Sequence, residues 1–159
     1  MSDLLQALYR GDDARLSELL ADDPELDVFE AAALGRTDRV RELLDGDRSL
    51  ANAYADDGFQ PLGLACFFGR VDSATLLVDR GADPNTLARN EHVQTSALHA
   101  AAAREHKDED TRYRLCTLLL EHGADPNLPQ GGGFTAMDAA RMNGDGRVRE
   151  VLLEHGATG

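Results

Sequence analysis

Five histidines and two cysteines are the residues of this chain best suited to catalytic chemistry. A nucleophilic cysteine needs a neighbouring base and a lowered pKa. His99 paired with Cys66, or with a carboxylate such as Asp138, is the arrangement that would supply them. Nothing else in the sequence resembles a catalytic set, so we expect no catalytic residues and no enzymatic activity.

Patterns for metals and phosphates are weaker still. His122 and His155 stand at equivalent places in two identical segments, Leu-Leu-Glu-His-Gly-Ala. Stacked helices lie roughly 8–10 Å apart, however, whereas a zinc ligand lies about 2.1 Å from its metal. The acidic run 108–110 lacks the spacing and glycine of a calcium loop, and no Gly-Lys-Ser/Thr follows the glycines at 131–133. We therefore expect no metal site and no cofactor.

Composition narrows the class of protein further. The 159 residues carry a net charge of −13, and 42% of them are hydrophobic, which fits one domain with a real core. An acidic chain repels nucleic acid and anionic membranes. No stretch approaches the roughly 18 apolar residues of a membrane helix, the start shows no signal peptide, and two cysteines are too few for a disulfide framework. We expect a cytoplasmic monomer that binds neither nucleic acid nor membranes.

A repeated unit of roughly 33 residues organises the chain. Leu-Leu-Glu-His-Gly-Ala occurs at 119–124 and again at 152–157, and Gly-Ala-Asp-Pro-Asn occurs at 81–85 and 123–127. Four corresponding apolar positions recur at intervals slightly longer than this unit: Val28, Leu62, Leu98 and Met137. A constant unit with insertions confined to its connections is typical of stacked repeats.

Each unit is predicted to form a short alanine-rich helix, a tight turn, a second apolar helix and a glycine-containing bend. Gly35, Gly69 and Gly144 fall where the first helix should end, a place that favours positive φ. Asp-Pro-Asn after the second helix favours extended backbone. No strand-like alternation occurs, so the predicted fold class is all-α.

These motifs resemble the ankyrin repeat family, and the chain is similar in size to its small, stand-alone, bacterial-type members. The best agreement with Gly-x-Thr-Pro-Leu-His-x-Ala-Ala-x-x-Gly is at 58–85. Gly63 and Asp138 stand where the motif has His, and Gln60 and Ser96 stand where it has Thr. The resemblance implies a solenoid of about five helix pairs, divided into a capping pair (1–25), a weak repeat (26–56), a repeat (57–86), a repeat with insertions (87–128) and a C-terminal repeat (129–159).

The resemblance also implies that hairpin tips and first helices line a concave surface that binds a protein partner. His99 falls on the motif histidine, which ties the turn together in the family. Four of the five phenylalanines map to this surface, and aromatic side chains on a rigid scaffold are good interface anchors. The candidate contact residues are Asp56, Asp57, Phe59, Phe67, Phe68, Arg104, Phe134, Met142 and Asn143.

Two charged features leave alternatives open. Residues 1–34 hold nine acids against two arginines; they either steer a basic partner or keep a terminal cap soluble. The six-residue insertion around 104–114 should project from the stack, as a specificity finger or as a tolerated surface loop. With Asp56 and Asp57 at the rim, we expect a basic-amphipathic segment as the ligand. The protein would act as an adaptor or, alternatively, as a dedicated regulatory or inhibitory subunit of an enzyme.

Overall fold

The computed structural model describes residues 1–159 as five consecutive pairs of helices. The helices are α1 (Asp3–Arg10), α2 (Asp13–Leu20), α3 (Val28–Leu34), α4 (Thr37–Gly46), α5 (Pro61–Phe67), α6 (Val71–Asp79), α7 (Ala97–Ala102), α8 (Glu109–Glu121), α9 (Ala136–Asn143) and α10 (Gly146–Glu154). A short 3₁₀ helix, Arg48–Asn52, follows α4. The predicted all-α class is confirmed, and an isolated bridge between Leu87 and Ser96 is the only β pairing.

Local sequence explains where the helices begin and end. The Asp27 side chain accepts from the Glu30 backbone N–H, and the Glu30 carboxylate accepts from the Asp27 N–H, which forms a capping box at the start of α3. Gly35 and Gly144 end α3 and α9 with φ of 73°, a left-handed conformation that glycine adopts without a Cβ clash. The predicted helix stops at these glycines are confirmed.

The first helices of successive pairs pack side by side, with α5 between α3 and α7. Their alanines, such as Ala32, Ala65 and Ala101, are fully buried, and they allow the backbones to approach closely. Paired apolar residues of the second helices, including Leu77 and Leu119, complete the main core, and a smaller apolar cluster joins α1 to α3 and α5. None of the helices is long and apolar enough to cross a membrane.

Asparagine side chains link each repeat to the next on the side of the bends. Asn85 Nδ2 donates to the Gly123 carbonyl at 2.9 Å, and Asn85 Oδ1 accepts from the Asp125 N–H at 2.7 Å. Asn52 and Asn127 make the same pair of bonds one repeat earlier and one repeat later. The repeat register is thereby fixed by backbone groups that the helix ends leave unpaired.

The prediction that the insertion projects from the stack is wrong. Part of the extra length extends α8 to thirteen residues, and the 103–108 loop folds back onto the preceding repeat. The His106 ring lies 5.2 Å from the ring of Phe67 and 4.9 Å from that of Phe68. Lys107 Nζ donates to the Phe67 carbonyl at 2.8 Å. The contacts of His106 and Lys107 hold the loop against the preceding repeat although residues 104–106 stay exposed, and spacing along the sequence does not reveal these contacts.

A buried ion pair joins the last two repeats. Arg112 Nε and Nη2 donate to the two carboxylate oxygens of Asp145 at 2.6 and 2.8 Å, and both side chains are buried. Arg112 Nη1 also donates to the Lys107 carbonyl at 2.8 Å. The same guanidinium therefore holds α10 and one end of the 103–108 loop.

Candidate functional site

A groove of about 500 Å³ opens on the side of the stack formed by α5, α7 and the connections that precede them. Its volume is in the range of typical ligand pockets. Its floor is made of residues with little or no side chain: Gly63 of α5, Ala97 and Ala100 of α7, and Ala139 of α9. The short side chains that let the first helices pack closely thus also leave a trough above them.

Aromatic side chains form the wall toward the N-terminus. Phe59, Phe67 and Tyr9 all line the groove, and the rings of Tyr9 and Phe67 lie 5.5 Å apart. Tyr9 comes from α1, so the first helix pair contributes to the groove as well as closing the end of the core. Ala88 and Val93, from the connection before α7, add apolar side chains to the lining.

Most polar groups of the lining are already hydrogen-bonded within the protein. Gln60 Nε2 donates to the Asn52 carbonyl, and the Thr86 hydroxyl donates to Gln60 Oε1. His99 Nε2 lies 2.8 Å from the Phe134 carbonyl and Nδ1 lies 2.9 Å from the Ser96 hydroxyl. The floor therefore offers apolar surface rather than free hydrogen-bonding groups.

His99 is held as a neutral ring. Its Nε2 must carry the proton to donate to Phe134, so Nδ1 accepts from Ser96. Burial lowers the pKa of His99 below its ordinary value of 6.5, although the Phe134 bond and the Asp138 charge act in the opposite direction. The predicted role of His99 in tying the turn together is confirmed by these two bonds.

The charged groups of the lining are acidic. Asp83 and Glu105 line the groove, and no lysine or arginine does. The Glu105 carboxylate makes no hydrogen bond or ion pair within the protein. Burial raises the pKa of the Tyr9 hydroxyl to about 12, and the charge of Asp57 acts in the same direction. The groove therefore combines an apolar floor with a negative edge.

The predicted contact residues separate into different environments. Phe59 and Phe67 lie together in the groove, but Phe68 is 3% exposed and packs against Leu5 and Ala33. Phe68 therefore does not line the groove, contrary to the prediction that it is a contact residue of the concave surface. Consecutive residues at the end of a helix point in different directions, and the side chain at 68 is covered by α1 and α3.

The other predicted residues lie outside the groove lining. Phe134 is half exposed and Met142 is 79% exposed. Arg104 is exposed beside the groove, and Asn143 donates to the Ala102 carbonyl at 2.9 Å, which links α9 to α7. Of the two acids at the 56–57 tip, Asp56 is exposed and Asp57 accepts from the Phe59 N–H.

Sequence reasoning misses several groove residues. Tyr9 lies in a segment without repeat motifs, and only the docking of α1 brings it to α5. Glu105 belongs to the loop that spacing alone would place in solvent. Gly63 could have been found from the sequence, because a glycine inside a helix at the position of the motif histidine is unusual. The sequence pattern identifies it only as a departure from the motif and not as part of a groove.

The residues considered for catalysis are not assembled into a catalytic pair. Both ring nitrogens of His99 are bonded to Ser96 and Phe134. Cys66 is buried, and burial raises the pKa of its thiol to about 12; burial also raises the pKa of the Cys116 thiol. No group of three or more His, Cys, Asp or Glu side chains is placed to hold a metal ion.

Comparison with known proteins identifies the repeat. The family model of the ankyrin repeat matches residues 57–91 and 94–130. Ankyrin repeat and SAM domain-containing protein 6 of Rattus norvegicus is 29% identical over 127 residues, which are 80% of this chain and 13% of that protein. Ankyrin repeat, SAM and basic leucine zipper domain-containing protein 1 of Dasypus novemcinctus is 30% identical over 90% of this chain and 29% of its own length.

A bacterial relative shows the same partial overlap. An ankyrin repeat-containing protein of Treponema pallidum (strain Nichols) is 30% identical in an alignment of length 128 that covers 74% of this chain and 40% of that protein. The chain thus spans less than half the length of each of these three relatives. What they share with it is the stack of repeats.

Proposed function

Because this chain belongs to the ankyrin repeat family, we propose that it is a non-enzymatic interaction module that holds a protein partner in the groove between α5 and α7. Ankyrin repeats are in general an interaction fold without catalytic activity. The observation that carries the proposal is the groove itself, whose apolar lining includes the half-buried rings of Phe59 and Phe67 and the exposed Val93, while most of its polar groups are bonded within the protein. Removing such an apolar surface from water is favourable, so binding of a partner that covers it lowers the free energy.

The charge of the groove defines the partner more closely. Asp83 and Glu105 stand at the edge without a lysine or arginine in the lining, and Asp57 lies near Tyr9. A basic-amphipathic segment would place apolar side chains on the floor and its cations against these carboxylates. The two unpaired, buried cysteines fit a reducing compartment, and we propose the cytoplasm as the place of binding.

The test compares capture of proteins from a native lysate by the immobilised wild-type chain and by Phe59→Ala. We expect the wild type to retain a defined set of proteins and the Phe59→Ala variant to retain at least about tenfold less of them, since a buried aromatic anchor contributes on the order of 2 kcal/mol or more. Retention should also fall as salt is raised, because rim charges are screened.

Leu153→Ala is the matched control. Leu153 is half exposed on α10, so its truncation also removes apolar surface, but outside the groove. Equal losses in Leu153→Ala and Phe59→Ala, with unchanged helicity in both, would contradict binding in the groove. A loss in Phe134→Ala as large as that in Phe59→Ala would extend the contact to the last repeat.

A further inference from the structure

Gly63 is a glycine that the fold does not require. It lies inside α5 with a negative φ, which any residue adopts in a helix. A Cβ built at Gly63 would meet no atom within 4 Å, so close packing does not exclude a side chain either. By contrast, a Cβ at Gly58 would overlap the backbone of Arg89.

The equivalent positions of the next two repeats carry side chains that stabilise the turn. His99 bonds to Ser96 and to Phe134, and Asp138 accepts from the N–H and hydroxyl of Thr135. At position 63 both kinds of bond are absent, and α5 has no side-chain cap at its start. The first well-matched repeat therefore lacks a stabilising group at the one position where two other repeats use it.

The missing side chain leaves space on the floor of the groove. Phe67 follows one helical turn after Gly63 on the same face, and Phe59 lines the groove on the other side. The space above Gly63 is thus flanked by two aromatic rings, while the facing positions of α7 are the alanines 97 and 100. A side chain from outside that entered this space would share the groove with these apolar lining residues.

We propose that the space above Gly63 is an anchor subsite for one bulky apolar side chain of the partner, such as Leu, Met or Phe, with an arginine or lysine next to it in the partner's sequence. The cation is assigned by the acidic edge of the groove, where Asp83 and Glu105 line the opening and the Glu105 carboxylate forms no hydrogen bond or ion pair, although its charge also acts on Lys107. This inference rests on the proposed function and specifies the chemistry of the segment that is bound.

The experiment selects ligands rather than assuming one. Random twelve-residue peptides displayed on phage are panned on the full wild-type chain, and enriched peptides are synthesised and titrated against wild type and three variants. We expect the enriched peptides to share a bulky apolar residue within two positions of an arginine or lysine.

The variants separate the subsite from the fold. Gly63→Leu fills the space and should raise Kd at least about tenfold, whereas Gly63→Ala adds one methyl and should raise it less. Glu105→Gln keeps the shape of the edge and should raise Kd by several-fold and flatten its dependence on salt. Neither substitution at 63 should lower the thermal stability of the free protein, since the space is open.

The outcomes distinguish the two levels of the proposal. Peptides that bind Gly63→Leu as tightly as wild type but lose affinity for Phe59→Ala would overturn the subsite and keep the groove. Enriched peptides without the apolar-basic pair would also overturn the subsite. If none of the enriched peptides loses affinity for any variant of a groove residue, the proposed function is overturned as well.

Discussion

The buried pair Arg112–Asp145 predicts a large loss of stability when one of its two side chains is exchanged. The two groups form a bidentate bond at 2.6 and 2.8 Å with side-chain exposures of 8% and 3%. Removing one partner leaves the other charge buried without its counter-ion, which costs about 3–5 kcal/mol. Asp145→Ala and Arg112→Met should each lower the free energy of unfolding by about that amount.

For a chain of this length about 1 kcal/mol corresponds to roughly 2–4 °C in Tm, so each single variant should melt about 6–20 °C below wild type. The double variant Arg112→Met/Asp145→Ala should be less destabilised than the sum of the singles. The reason is that the second exchange removes the unpaired charge that the first one leaves. Met keeps the apolar stem of Arg112. The bond from Arg112 Nη1 to the Lys107 carbonyl is lost in Arg112→Met and in the double variant alike, so it cancels in the coupling energy of the ion pair.

The assay is urea unfolding followed by far-UV circular dichroism for wild type, both singles and the double. The exposed pair Arg15–Glu18, which also forms a hydrogen-bonded contact at 3.1 Å, is the control. Truncating either of its members should leave the free energy of unfolding nearly unchanged. If the effects at Arg112 and Asp145 add within about 0.5 kcal/mol, the reasoning on a coupled buried pair is refuted.

Three further predictions concern single residues. Gly63→Ala should raise the free energy of unfolding by about 0.5–1 kcal/mol, and Gly58→Ala should lower it by more than about 1 kcal/mol because φ is +85° and the Cβ meets the Arg89 backbone; urea unfolding measures both. Since folding lowers the pKa of His99, its stabilisation is complete above its ordinary value of 6.5 and is lost as the pH falls through the folded pKa, so His99→Gln should show a shallower fall in Tm with acidification. Lys107 is the only lysine, so a lysine-specific protease reports opening of the 103–108 loop as one cut, and His106→Ala should speed that cut by about fivefold.

Each of these predictions has a result that contradicts it. Equal signs for Gly63→Ala and Gly58→Ala would mean that open space and backbone conformation do not decide the effect. If the Tm of His99→Gln fell more steeply with acidification than that of the wild type, the neutral form of His99 would not be the form that stabilises the fold. Faster cleavage in His92→Ala, an exposed histidine before α7, would show that the protease does not sense the aromatic contacts of His106.

The fold was predictable because its signals are local and repeated. The copies of Leu-Leu-Glu-His-Gly-Ala at 119 and 152 specify the same helix end, and Gly35 and Gly144 end helices through their own backbone freedom. The bonds of His99 were also predictable, because they belong to a turn that the family motif describes. Such signals depend on residues that are close in the sequence, so they predict local structure before any tertiary contact is known.

The groove was predictable only in part. Phe67 and Phe68 are adjacent in sequence, yet one lines the groove and the other lies in the core, because α1 and α3 cover the second ring. Tyr9 reaches the groove only through the docking of a helix pair without motifs.

The sequence by itself determined the repeat, the helix ends and the all-α class, since these follow from residue types within one unit. The tertiary structure alone decided that the 103–108 loop lies on the preceding repeat, that Arg112 meets Asp145, and that the space above Gly63 opens into a groove. These contacts join residues of neighbouring repeats that lie far apart along the chain, and their free energy comes from burial and charge pairing between repeats. The local sequence pattern within one repeat does not indicate which surfaces of neighbouring repeats come into contact.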